Sequence, residues 1–203
     1  MPKSGKKYAH LLTTAEALFL QFGIRRVSVE EICRKAGISK ATFYKSFANR
    51  GELAVAVLNR LTAPLRQQME SELLADTPYA GRLLRLLAIK RQSAQLLGPN
   101  LIQDLTEDPP PEIQAWLTCE QEKSYTLALR FLQQGQAAGI LNSRFPSEFL
   151  FYLLDLGNEI FQDPRFKSLF PDILERGRLL NEFILFGLMA PPDEAPGPDA
   201  GGG

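Results

Sequence analysis

Lys40, Thr42, Tyr44 and Lys45 fall within six residues, in the segment GISKATFYKSF at positions 37–47. Two ammonium groups, a hydroxyl and a phenol at that spacing suit polyanion recognition better than bond making. A lysine donates to the acceptor edge of guanine, hydroxyls and phenols reach phosphate oxygens, and Ala41 or the Thr42 methyl can meet a thymine methyl. Groups for catalysis are sparse. There is one histidine, His10, and the two cysteines, Cys33 and Cys119, lie far apart and outside any metal-ligand spacing. No P-loop, dinucleotide-binding fingerprint or nucleophile elbow occurs. We therefore expect no enzyme, no cofactor and no bound metal. The cysteine usage fits a reducing cytoplasm.

Charge supports the same reading through its distribution. The 203 residues carry 23 basic and 23 acidic side chains, a net charge of zero. Residues 1–60 hold 11 basic and 4 acidic side chains, whereas residues 61–203 hold 12 and 19. A basic head on an acidic body is the pattern of a polyanion-binding module attached to a part with another task. A membrane-surface role fits less well, because the basic residues are spread over several short helices and do not form one amphipathic face. No apolar run long enough to span a bilayer occurs, and the N-terminus lacks the form of a signal peptide.

The elements that must position the segment are helices. Leu11, Leu12, Ala15, Leu18, Phe19 and Phe22 recur at three- and four-residue steps, and Gly23 stops that helix. Ser28 is placed to cap VEEICRKA, with Glu31 completing a capping box. Gly37 makes the turn, and Ser39 caps KATFYKSF. Asn49 and Glu52 open a fourth helix in the same way. Val29, Ile32, Cys33, Ile38, Phe43 and Phe47 face inward, leaving Lys40, Ala41, Thr42, Tyr44, Lys45 and Ser46 outward. This is the layout of a helix-turn-helix, spanning about residues 28–47. Ser28 and Arg50 are additional candidates for phosphate.

Downstream, Pro64 kinks the fourth helix or opens the next one. Tyr79 to about Leu97 reads as a helix broken by Gly98-Pro99, with a short helical turn in NLIQDL. A long helix opens after Asp108 and ends at Gly139. SEFLFYLLDLGNEIF, a loop at QDPRF and a last helix from about Ile173 to Met189 follow. The fold class is all-α. Residues 191–203, rich in Pro and Gly, read as a disordered tail.

The stretch from Leu11 to Leu53 resembles, without gaps, the DNA-binding domain of the TetR family of transcriptional regulators. Ala15, Phe19, Gly23, Ser28-Val29, Ile32, Ala36-Gly37-Ile38-Ser39, Thr42, Tyr44, Phe47 and Leu53 carry the resemblance. It implies DNA contacts from Ser28, Ser39, Lys40, Ala41, Thr42, Tyr44, Lys45 and Arg50. Arg50 stands where the family usually has lysine. Cys33 and Phe43 replace a common alanine and leucine, and Gly51 replaces a usual acidic residue, which weakens the start of its helix.

Beyond residue 60 the resemblance is one of architecture. It implies a DNA-binding domain at 1–53 and an effector-binding and dimerisation domain at 54–190. It also implies a homodimer bound to a palindromic double-stranded operator, since one recognition helix reads too few bases. Trp116, Tyr125, Phe131, Phe149, Tyr152 and Asp155 are candidates to line a small-molecule effector pocket. Gly157, Leu180, Phe183, Ile184 and Gly187 are candidates for the dimer interface. The function implied is a ligand-responsive repressor. An activator, or a DNA-binding protein of the same fold with no small-molecule effector, is the alternative.

Overall fold

The structure, a computed structural model, describes residues 5–189, apart from the side chains of Asn158 and Leu185. The expected disordered tail at 191–203 lies outside the described residues. Among the described residues nine helices follow one another: α1 (Lys6–Phe22), α2 (Val29–Lys35), α3 (Lys40–Tyr44), α4 (Arg50–Leu74), α5 (Tyr79–Thr106), α6 (Pro111–Ala137), α7 (Ser147–Gln162), α8 (Pro164–Leu169) and α9 (Ile173–Leu188). No strand occurs among the described residues. The nearest approach to one is an isolated antiparallel bridge between Leu141 and Met189.

The helices divide into two compact units. One comprises residues 1–71 and 87–123, the other residues 72–86 and 124–203. In the first unit, Leu11, Ala15, Leu18 and Phe19 of α1 pack with Ile32 and Cys33 of α2, Phe43 of α3 and Phe47 just after it. Leu53, Ala54, Val57 and Leu58 supply the α4 side. The core does not end there. Leu101 of α5 and Ile113 of α6 are completely buried in the same cluster, with Trp116 and Leu117 packed against it. The helix-turn-helix is therefore closed by side chains some 50 positions downstream of it.

Local signals set most boundaries. Gly23 ends α1 with φ +81 and Gly139 follows α6 with φ +68, values natural only to glycine. Gly98 at φ +67 breaks the helical path within α5 beside Pro99, at the expected position. Three expectations change. α3 is five residues long, because Ser46 N–H turns back to the Phe43 carbonyl at 2.9 Å and tightens the chain. α4 runs through Pro64 without ending. The segment expected as a loop at QDPRF instead holds α8. Asp163 caps it by accepting the Phe166 N–H at 2.9 Å, and Pro164 occupies its first position.

In the second unit, Tyr79 of α5 stacks on Phe131 of α6, with ring centroids 4.5 Å apart. Leu86, Leu132, Leu141, Leu150 and Leu188 are buried. A Cβ at Gly157 of α7 would lie 2.7 Å from Ile184 Cδ1, so glycine there lets α7 and α9 approach closely.

Leu101 makes the shared core testable. Its truncation, L101A, removes a fully buried side chain outside the helix-turn-helix and should destabilise the first unit by about 2–5 kcal/mol. Urea denaturation followed by circular dichroism checks this. A loss under about 0.5 kcal/mol would mean that the head does not depend on α5.

Candidate nucleic-acid interface

The helix-turn-helix is built from its caps. Ser28 Oγ accepts the Glu31 N–H at 3.1 Å and starts α2. Ser39 Oγ accepts the Thr42 N–H at 3.1 Å and starts α3, and the two hydroxyls share a further bond of 3.0 Å. Each cap satisfies an N–H that the first helical turn leaves without a partner. Between them Gly37 turns at φ +61. Phe43 and Phe47 are buried, and Tyr8 of α1 stacks on Phe47 at 5.5 Å. These anchors fix which face of α3 looks outward. Ser28, Ser39, Lys40, Ala41, Tyr44 and Lys45 are exposed, and Thr42 is half-buried.

Two basic residues on this surface are engaged already. Lys40 pairs with Glu30 of α2. The hydrogen bond holds the Glu30 carboxyl below its ordinary range and raises the Lys40 ammonium above its own. Lys40 must therefore exchange a carboxylate for any DNA acceptor. Arg50, expected to reach phosphate, also makes contacts within the chain. Its Nη1 donates to the Arg25 carbonyl at 3.0 Å and the Val27 carbonyl at 2.8 Å, so it braces the α1–α2 loop. Its structural role is to hold the loop that leads into Ser28.

A second set of contacts escaped the sequence reading. Asp104 of α5 is buried, and its Oδ2 accepts the Arg25 backbone N–H at 3.0 Å while Oδ1 accepts Arg25 Nε at 2.5 Å. A Cβ on Gly23 would strike that carboxylate. Asn100 donates to the Gln21 carbonyl at 3.0 Å. At the other end, Glu112 of α6 accepts from Asn49 Nδ2 at 2.6 Å, and a Cβ on Gly51 would come within 2.8 Å of Glu112 Cδ. Gly51 therefore makes room for Glu112, and the acidic residue expected there would meet a like charge. Asn49 also caps α4 by accepting the Glu52 N–H at 2.9 Å, while Glu52 turns back to the Ala48 N–H and not to that of Asn49. One signal for these contacts was present: Asp104 is the one charged residue of NLIQDL.

The effector and dimer candidates disperse. Trp116 lies in the first unit and donates to Asn59 Oδ1 at 3.0 Å, so it belongs to the core around the head. Phe131 is buried against Tyr79. Tyr125 packs edge-on against Phe151 at 4.6 Å and Phe149 tilts on Phe145 at 5.5 Å, both still partly open to solvent. Tyr152 and Asp155 are exposed. A shallow hollow on α7, lined by Leu156, Glu159, Ile160, Gln162 and Asp163, contains none of the six. Of the interface candidates, Gly157, Leu180 and Ile184 meet one another within the chain. Gly187 is open on all sides. Phe183 is 77 % exposed, as is its neighbour Phe186, which the sequence reading omitted.

Residues 11–57 match the profile of the bacterial regulatory proteins of the tetR family. Residues 11–57 are a DNA-binding domain of the tetR-family type. A curated relative, the HTH-type transcriptional repressor SCO4008 of Streptomyces coelicolor, is 24 % identical over 79 % of this chain and 81 % of its own. Among solved structures, a complex of SmeT with triclosan superposes with a TM-score of 0.64 at 16 % identity, covering 95 % of this chain and 96 % of SmeT. A transcriptional regulator from Saccharomonospora viridis in complex with choline gives 0.61 at 19 %, covering 90 % and 97 %. These likenesses share the all-helical fold with its N-terminal helix-turn-helix.

The tetR-type head carries charge that is partly neutralised from within, at the Lys40–Glu30 pair. Removing the internal competitor, E30Q, should raise DNA affinity, with a gain that shrinks as salt increases. R50A should instead lower thermal stability together with affinity, because the α1–α2 loop loses its brace. Fluorescence anisotropy with duplex DNA across a salt series, paired with thermal melts, checks both. If R50A lost affinity with unchanged melting, Arg50 would be a DNA contact after all.

Proposed function

We propose that the protein is a ligand-responsive repressor that binds a palindromic operator as a homodimer. The observation that carries this reading is the set of polar contacts from Asn100, Asp104 and Glu112 to the head. A recognition helix held by apolar packing alone would be insensitive to small shifts. Hydrogen bonds have steep distance and angle dependence, and those to the Asp104 and Glu112 carboxylates are charge-assisted, so a shift of α5 or α6 re-aims the loop before Ser28 and the start of α4. Both helices contribute residues to the second unit as well as the first. An effector that favours one arrangement of α5 therefore biases DNA affinity, and DNA biases effector affinity by the same factor. The repressor relative, and the triclosan and choline complexes of proteins with this fold, support ligand control.

In this reading residues 1–53 meet DNA and residues 54–190 regulate and dimerise. Ser28, Ser39, Tyr44 and Lys45 contact the backbone and groove rim, and Lys40, Ala41 and Thr42 enter the major groove. Phe183 and Phe186, exposed on α9, are apolar surface that a second copy would cover. A two-fold axis would then place two recognition helices about 34–36 Å apart, one turn of DNA.

Sedimentation of the intact protein should show a dimer at micromolar concentration. F183S combined with F186S should shift it toward monomer and weaken operator binding. Selection of bound genomic fragments should return an inverted repeat with half-sites about 10 base pairs apart. A wild-type monomer, or enriched fragments with no two-fold symmetry, would sink the homodimer reading.

A further inference from the structure

We infer that the second unit holds a receptor for an apolar organic carboxylate, centred on Arg82. The inference rests on the ligand-responsive reading above and names the chemistry of the effector. Arg82 lies in the first turn of α5 and is 5 % exposed. Its Cζ stands 5.3 Å from the Phe131 ring centroid and 5.6 Å from that of Tyr79. Its Nε and Nη1 are buried and have no hydrogen-bond partner. The Tyr79 hydroxyl and Gln134 Oε1 are likewise buried and unmet. Burial pushes the Tyr79 phenol up, so it remains an O–H donor at any ordinary pH.

Other arginines show what is missing. Arg176, equally buried and also over an aromatic ring, directs Nη1 to the carbonyls of Phe170 and Pro171 at 2.9 and 3.1 Å. Arg85, one turn from Arg82, has the Glu72 carboxylate at 2.8 Å. Arg25 has Asp104. Arg82 is offered the faces of two aromatic rings, and its Nε and Nη1 meet no oxygen. A guanidinium cannot escape burial by losing its proton, and π faces compensate only part of its lost hydration. An external anion supplies the rest.

The surroundings choose the anion. Arg82 lies against the Tyr79 and Phe131 rings, in a unit whose buried side chains include Leu86 and Leu132. A monoanion balances it, whereas a phosphate dianion would leave a surplus charge in an apolar core. A carboxylate can take the Arg82 and Tyr79 donors, and an apolar body suits the rings and leucines. Gln134 Oε1 remains to accept from an N–H or O–H on the same molecule.

The test uses the full chain with sodium benzoate and sodium octanoate as probes, their amides as neutral controls and inorganic phosphate as the rival anion. Isothermal titration and thermal melting should show that a carboxylate probe binds and stabilises the wild type, and that the amides and phosphate do not. In R82M the carboxylate should bind at least about tenfold more weakly. Without any probe R82M should melt no lower than the wild type, because an uncompensated buried charge has been removed. R82K, which restores the charge without the guanidinium geometry, should recover part of the binding. A large drop in R82M melting, or probe binding no weaker in R82M than in the wild type, overturns the proposal and makes Arg82 structural. Absence of binding by both carboxylates at millimolar concentration overturns it too. Operator anisotropy separates the two levels. Carboxylate that binds through Arg82 without releasing DNA upholds the receptor and defeats ligand control. Carboxylate that releases DNA equally from R82M upholds ligand control and defeats the receptor.

Discussion

The buried carboxylate of Asp104 is the constraint on which the head depends. A charge taken out of water is tolerable only when its oxygens are met by donors. Arg25 meets both, one through its backbone N–H and one through its guanidinium. That arrangement sets the course of the α1–α2 loop, requires a residue without a Cβ at position 23, and leaves the Arg25 and Val27 carbonyls where Arg50 can bond them. The loop in turn delivers Ser28 to the start of α2. The outward face of α3 is thus oriented by apolar anchors from below and by a polar clasp from α5 at one side.

The polar and apolar contacts have different jobs. Leu101 and Ile113 fill the core and resist displacement, as close-packed side chains do. Asp104, Asn100 and Glu112 are directional, and they lie where the head meets the later helices. A regulator needs both properties. The packed core fixes the outward surface of the head, and in the proposed ligand response the directional contacts are the ones that a shift of α5 or α6 would alter. The Lys40–Glu30 pair adds a third feature at the surface, an ion pair between α3 and α2.

In the second unit the question is how buried cations are compensated. Arg176 Nη1 is met by two backbone carbonyls, while its Nε is buried without a partner, and it clamps the segment before α9. Arg82 has aromatic faces instead of acceptors. The contrast between two arginines of nearly equal burial isolates the acceptor as the variable. It also gives Phe131, which the sequence offered only as one aromatic among several, a specific neighbour.

The sequence by itself determined the helices, their caps and the recognition surface, because these follow from local rules. Helical periodicity, Ser28, Ser39, Asn49 and the glycines act within a few residues, and the outward set on α3 follows once Phe43 and Phe47 face in. α8 was missed although Asp163-Pro164 is a good cap, because six residues are too few for periodicity to register. Only the tertiary structure decided the partners. Arg50 bonds carbonyls about 25 positions upstream, Asp104 reaches back 79, and Gly51 is small for the sake of Glu112. It likewise turned Gly157, Leu180 and Ile184 toward one another and placed Trp116 beside the head. Pairings of that range depend on how helices pack, and one-dimensional periodicity tells which face of a helix is buried without telling what lies against it.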